Sequence, residues 1–120
     1  MAPLALKTKI TTPRLDETRA FYERLFDLVV AEAWDDPGDR GVILALSPDA
    51  REALLEIHEG PEAPPGSVSL QFKVHDLEAF RRRLPADLPV AGPTPRPWGS
   101  TYLYLRDPNG IAVVVFEGGL

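Results

Sequence analysis

A pattern written twice within 120 residues constrains this chain more than any other feature. Ala20-Phe21, Arg24 and Leu25 recur as Ala79-Phe80, Arg83 and Leu84, each set inside a segment that reads as a short amphipathic helix. Further on, Glu59-Gly60 recurs as Glu117-Gly118, each pair closing an apolar strand. Self-similarity at about half the chain length marks a duplicated supersecondary unit. A chain of this size supports one core of ordinary dimensions, so both copies belong to a single domain. The expected division is module one at 1–60, a linker at 61–66 carrying three prolines and a glycine, and module two at 67–120.

The element order supports the duplication. Leu4 to Thr11 alternates apolar and polar residues, with Leu6 and Ile10 on one face of a strand and Lys7 and Lys9 on the other. Asp16, after Pro13, is the expected N-cap of a helix in which Phe21, Leu25 and Leu28 recur at helical spacing and Arg19 sits four residues before Glu23. Val29 to Trp34 reads as a strand, and Asp35-Asp36-Pro37-Gly38 as a turn. Val42 to Leu46 and Ala53 to His58 complete the module. In the second half Val68 to Val74 alternates, and Asp76 is placed to cap a helix carrying Leu77, Phe80 and Leu84 that stops at Pro85. Leu88 to Pro97 is rich enough in proline to read as an irregular edge strand or loop. Trp98 to Leu105 and Ile111 to Phe116 form the closing strands around the turn Asp107-Pro108-Asn109-Gly110. The order is βαβββ twice, an α+β fold.

Composition narrows the function classes. Apolar residues at 44% and charged residues at 26% are the balance of a folded chain. A formal charge of -5 argues against nucleic acid or an anionic membrane as partner, since both require a basic face, and favours a cationic or neutral small ligand. The absence of cysteine excludes disulfides, thiolate metal sites and thiol nucleophiles. The first residues lack the apolar core of a signal peptide, and no stretch approaches a membrane span, so the expected compartment is the cytoplasm.

Thr12-Pro13-Arg14-Leu15-Asp16-Glu17-Thr18-Arg19-Ala20-Phe21-Tyr22, the strand Leu55-Glu56-Ile57, Phe72-Lys73-Val74-His75-Asp76-Leu77, and Pro97-Trp98-Gly99 followed by Arg106-Asp107-Pro108-Asn109-Gly110 resemble, in order and spacing, the glyoxalase/bleomycin-resistance (vicinal oxygen chelate) superfamily. The last pair of motifs is most similar to the bleomycin-resistance branch. The resemblance implies that each module curls into half of a cupped mixed sheet with its helix outside and a ligand pocket inside. It also implies a homodimer that sequesters a small molecule.

Strand alternation then sorts the side chains. Leu6, Ile10, Leu55, Ile57, Val68, Leu70, Phe72, Val74, Ile111, Val113 and Val115 fall on the helix-facing side. Lys7, Lys9, Glu56, His58, Ser69, Gln71, Lys73, Ala112, Val114 and Phe116 fall on the other. Metal-dependent relatives hold an ion with one His, Glu or Gln from each of the first, fourth, fifth and eighth strands. The matched motifs carry those places to Lys7, Glu56, Ser69 and Val114, of which only Glu56 is a competent donor. No metal and no other cofactor is therefore expected. Lys7 and Glu56 either pair with each other where the ion would sit, or face solvent separately.

Trp34, Trp98, Tyr102 and Tyr104 supply aromatic surface, and Trp98 shares strand parity with the two tyrosines. Such rings stack on planar or cationic ligands. Gly99 beside Trp98 is expected to give a ligand access. Arg81-Arg82-Arg83 splays around the outside of its helix as a solvated face. The expected ligand-binding set is Lys7, Trp34, Glu56, His58, Ser69, Trp98, Tyr102 and Val114, with no catalytic residue assigned. Two other readings stay open: a metal-dependent lyase, isomerase or dioxygenase using Glu56 and His58 as ligands, and an accessory domain that meets another protein.

Overall fold

The structure, a computed structural model, describes residues 4–62 and 69–119. Most of the expected linker, from residue 63 onward, and Val68 of the fifth strand lie outside the described residues. The contacts divide the chain into two compact units, Met1–Pro64 and Pro65–Leu120.

The first unit runs β1 (Leu6–Thr12), α1 (Leu15–Phe26), β2 (Val29–Asp36), β3 (Asp39–Ala45) and β4 (Ala53–Glu59). Its sheet has the order β1-β4-β3-β2, with β1 parallel to β4 and the other neighbours antiparallel. The second unit runs β5 (Ser69–Lys73), α2 (Leu77–Arg82), β6 (Ala91–Pro95), β7 (Ser100–Arg106) and β8 (Ala112–Gly118). Its order is β5-β8-β7-β6, with β5 parallel to β8. The βαβββ order is thus realised twice in an α+β fold.

Each core lies between a sheet and its helix. In the first unit Ile10, Val42, Leu44, Leu55 and Ile57 are buried on the face where α1 packs against β3 and β4. In the second, Leu103, Leu105, Val113 and Val115 are buried with Leu77 and Phe80 of α2. Successive residues alternate between the two faces of a strand, so burying these commits Glu56, His58, Lys73, Tyr102 and Phe116 to the opposite faces, where Glu56 and Phe116 are themselves buried.

Four details differ from the expectation. Leu6 is 74% exposed, because it begins an edge strand beyond the reach of α1. The buried stripe of α1 is Leu15, Thr18 and Tyr22 rather than Phe21 and Leu25. Leu15 and Leu77 each open their helix, which sets Phe80 level with Thr18 and not with Phe21, so the repeat is one of architecture rather than of that residue match. Asp16 does not cap α1: the N-cap is Arg14, with no side-chain capping bond, and Thr12 Oγ1 accepts the Arg14 N–H at 2.9 Å. Asp16 instead sits in the first turn, where negative charge favours the helix dipole, and both its carboxylate oxygens accept from Arg40. Arg40 also donates to Glu59, so one guanidinium ties the start of α1 to β3 and β4 and is held further in its charged form by the two acids.

The expected cap of α2 and the turn at Asp107 form as read. Asp76 caps α2, its Oδ1 accepting from the Ala79 N–H at 3.0 Å. Buried Asp107 pins the β7–β8 turn by accepting from the N–H groups of Asn109 at 2.7 Å and Ile111 at 2.9 Å. An N-cap of this kind contributes about 1 kcal/mol. Asp76→Ala should lower unfolding stability by about that amount in urea denaturation. An unchanged midpoint would show that Leu77 and Phe80 alone fix the start of α2.

Candidate functional site

The eight expected site residues divide evenly between the units. Lys7, Trp34, Glu56 and His58 belong to the first, and Ser69, Trp98, Tyr102 and Val114 to the second.

On the open face of the first sheet, the parallel register sets Lys9 directly across from Glu56 and Lys7 one row away, across from Leu54. Lys7 Nζ lies 2.7 Å from Glu56 Oε1 and Lys9 Nζ 3.6 Å from Oε2. The pair left open by the sequence is therefore formed, and a second lysine joins it. The partners are unequal in burial: the Glu56 side chain is 10% exposed, whereas Lys7 and Lys9 are 46% and 52% exposed. A carboxylate so enclosed requires compensation, while ammonium groups on flexible stems reach it with their outer sides in water. The hydrogen bond from Lys7 holds the Glu56 carboxyl below its ordinary value of 4.5, against the opposing effect of burial.

Beside this cluster, Trp34, Gly41 and His58 occupy one row across β2, β3 and β4. The indole lies against Gly41, where an added Cβ would meet the ring at 2.5 Å. The glycine is required by that approach. Trp34 Nε1 donates to Asp39 Oδ1 at 2.9 Å, and His58 Nε2 lies 2.8 Å from the same oxygen. Those contacts, His58 first and Trp34 second, lower the Asp39 carboxyl from its ordinary value. His58 thus engages Asp39, not Glu56, although the two share a face.

On the open face of the second sheet, Tyr102 stands across from Phe116 and Tyr104 across from Val114. Trp98 precedes β7 in the turn after β6, so it does not share strand parity with the tyrosines as expected; its ring reaches Tyr102 from the turn, with centroids 5.9 Å apart. Tyr102 also meets Tyr104 at 5.9 Å and Phe116 at 5.6 Å. Gly99 has φ 88, and nothing stands within 4 Å of where its Cβ would be, so backbone conformation rather than ligand access explains the glycine. Arg96 lies with its guanidinium 4.7 Å from the Trp98 centroid and 5.8 Å from that of Tyr102. Ser69 accepts from Gln71 Nε2 at 3.3 Å. A concavity of about 390 Å³ opens beside Tyr104 and Arg106, walled by Pro89, Val90 and Ala91.

Sequence reasoning missed Lys9, Asp39, Gly41 and Arg96. A glycine inside a β-prone run signals close approach and could have pointed to Gly41. Arg96, two residues before Trp98, lay in a segment read only as proline-rich.

Residues 5–115 match the family described as the Glyoxalase/Bleomycin resistance protein/Dioxygenase superfamily. The chain belongs to this superfamily. Solved structures agree on the fold. TnmS3, an antibiotic binding protein from Streptomyces sp. CB03234, superposes with a TM-score of 0.78 at 20% identity over 98% of both chains. The genomically encoded fosfomycin resistance protein FosX from Listeria monocytogenes gives 0.79 at 15% identity over 100% of this chain and 96% of that one. A glyoxylase/bleomycin resistance protein/dioxygenase domain from Frankia sp. EAN1pec gives 0.70 at 21% identity over 99% and 98%. No curated protein matches the chain.

The places to which the resemblance carries an ion's ligands, Lys7, Glu56, Ser69 and Val114, do not make a donor set that fits one. In the first unit the single carboxylate, Glu56, already lies between two ammonium groups, which repel a cation. In the second, Val114 offers no lone pair and Ser69 is a weak ligand. Among the described residues no three His, Cys, Asp or Glu side chains converge.

Replacing Lys7 by Met should test the ion pair through its pH dependence. Glu56 has a depressed folded pKa, so its contribution is present above 4.5 and lost as pH falls through the folded value. Lys7→Met should cost about 1 kcal/mol at pH 7, discounted for the exposure of the lysine, and the deficit should shrink as pH falls below 4.5 and Glu56 takes up its proton. A deficit that stays constant in urea denaturation until Glu56 is fully protonated would assign it to lost packing instead.

Proposed function

We propose that this superfamily member is a binding protein that holds a small organic molecule, an antibiotic or a metabolite, without a divalent metal. The observation that carries the reading is the Lys7–Glu56–Lys9 cluster, in which the one carboxylate suited to an ion is already neutralised. Lewis-acid chemistry needs an ion with an open coordination position and several donors behind it. The aromatic group formed by Trp98, Tyr102, Tyr104 and Phe116 supports the rest of the reading, since such rings offer large, rigid contact area at low entropic cost. Trp98 is 47% exposed, unusual for so large an apolar side chain, and so is available to a ligand. The antibiotic-binding TnmS3 shares the fold, which is compatible with sequestration but does not by itself assign it.

We further propose that the protein works as a homodimer. Leu4 and Leu6 are 94% and 74% exposed, apolar surface that a second copy would cover. Light scattering should give twice the single-chain mass, and the single-chain mass at micromolar concentration would overturn this.

Purified protein dialysed with zinc, manganese and nickel salts should retain no stoichiometric metal by elemental analysis, and a chelator should leave its melting temperature unchanged. Screening antibiotics and metabolites by thermal shift should find ligands that raise the melting temperature, because a ligand selective for the native state stabilises it. About one bound ion per chain, with melting lowered by the chelator, would overturn the metal-free reading in favour of a metal-dependent enzyme.

A further inference from the structure

We propose that the open face of the second sheet recognises an aromatic carboxylate, with Arg96 receiving the anion and Trp98 and Tyr102 the planar body. The inference rests on the reading that this face binds an organic ligand, and adds the charge that ligand carries.

Arg96 is the observation that points there. Its Nε is buried and has no hydrogen-bond partner. Its contacts are with rings: the guanidinium lies over Trp98 at 4.7 Å and Tyr102 at 5.8 Å. Stacking engages the flat faces of a guanidinium and leaves its N–H edge, lying in the plane, for an acceptor. The backbone of Arg96 is fixed as well, its N–H donating to Ser100 O at 2.7 Å and its carbonyl accepting from the Gly99 N–H at 3.1 Å. A buried donor without an acceptor is costly, and a carboxylate meeting the Nε–Nη edge with two parallel bonds removes that cost. Arg14, Arg19, Arg40 and Arg81 differ in that each is paired with an acid.

The rest of the face has the matching sign. Its strand positions are Ser69, Gln71 and Lys73 on β5, Ala112, Val114 and Phe116 on β8, and Tyr102, Tyr104 and Arg106 on β7. None is acidic. Lys73 shares a row with Phe116 and Tyr102. The acids of this unit are engaged elsewhere: Asp76 caps α2, Glu78 pairs with Arg81, Asp107 holds the turn, and Glu117 accepts from the Leu77 N–H. Asp87 lies in the segment after α2. The net charge of -5 is not shared evenly along the chain: residues 65–120 contain six Lys or Arg against five Asp or Glu, and residues 1–64 seven against thirteen. The excess of acid therefore resides in the first unit and says little about the ligand of the second.

Three isosteric probes separate the possibilities: 2-naphthoate, 2-naphthylmethanol and 2-naphthylmethylammonium. Each is titrated against the whole chain, with Trp98 indole and Arg96 Nε–H resonances followed by NMR. The carboxylate should bind at least tenfold more tightly than the alcohol and shift both resonances. Arg96→Gln should abolish that preference while leaving alcohol binding within about twofold. Arg96→Lys, which keeps the charge but not the fork, should retain only part of it. Equal binding of alcohol and carboxylate, or tightest binding of the ammonium, would overturn the anion assignment while leaving the organic-ligand reading standing. If none of the probes perturbs Trp98 at millimolar concentration, both fall.

Discussion

In each unit the first strand lies parallel to the last, β1 beside β4 and β5 beside β8, and that pairing dictates the path of the chain between them. Parallel neighbours cannot be joined by a tight turn, so the chain must cross over before returning. Here the crossover contains a helix and two further strands, and the helix covers one face of the sheet it has left. Apolar residues collect on that side, and alternation delivers their neighbours to the other. The same register places Lys9 opposite Glu56 in one unit and Lys73 opposite Phe116 in the other. The candidate site residues on the strands thus fall on the faces opposite the helices, because the alternate positions are taken by the core.

The two uncovered faces have diverged. One gathers a carboxylate with two ammonium groups, and beside them an acid shared by an indole and an imidazole. Its charges are mutually satisfied. The other gathers rings around a guanidinium whose Nε lacks an acceptor. Internal pairing stabilises a site in the absence of ligand, whereas an unmet donor leaves part of the interaction energy for a visitor. The two units thus share one architecture, while the faces opposite their helices carry different side-chain chemistry.

The element order was legible because it depends on local signals: alternation in Phe72-Lys73-Val74, the cap at Asp76 and the turn at Asp107. Asp16 misled because it is a good capping residue placed inside the first turn, and its carboxylate found a tertiary partner in Arg40. The Lys7–Glu56 pair could be named from the sequence but not decided, since strand register is fixed by the packing of the opposite face. Arg96 was out of reach for a similar reason. Its position over two rings comes from the turn bonds at Gly99 and Ser100, which bring together residues that no periodicity links.

The proline-rich strand β6 forms an edge of its sheet, and Pro93 and Pro95 lack the amide hydrogens through which a bare edge recruits another chain. Strand β2, the corresponding edge of the other sheet, carries Glu32, Asp35 and Asp36. Both hairpin margins are thereby defended, one by missing donors and the other by charge, against the edge-to-edge stacking that seeds fibrils. The chain gains colloidal stability from the segment that looked least structured.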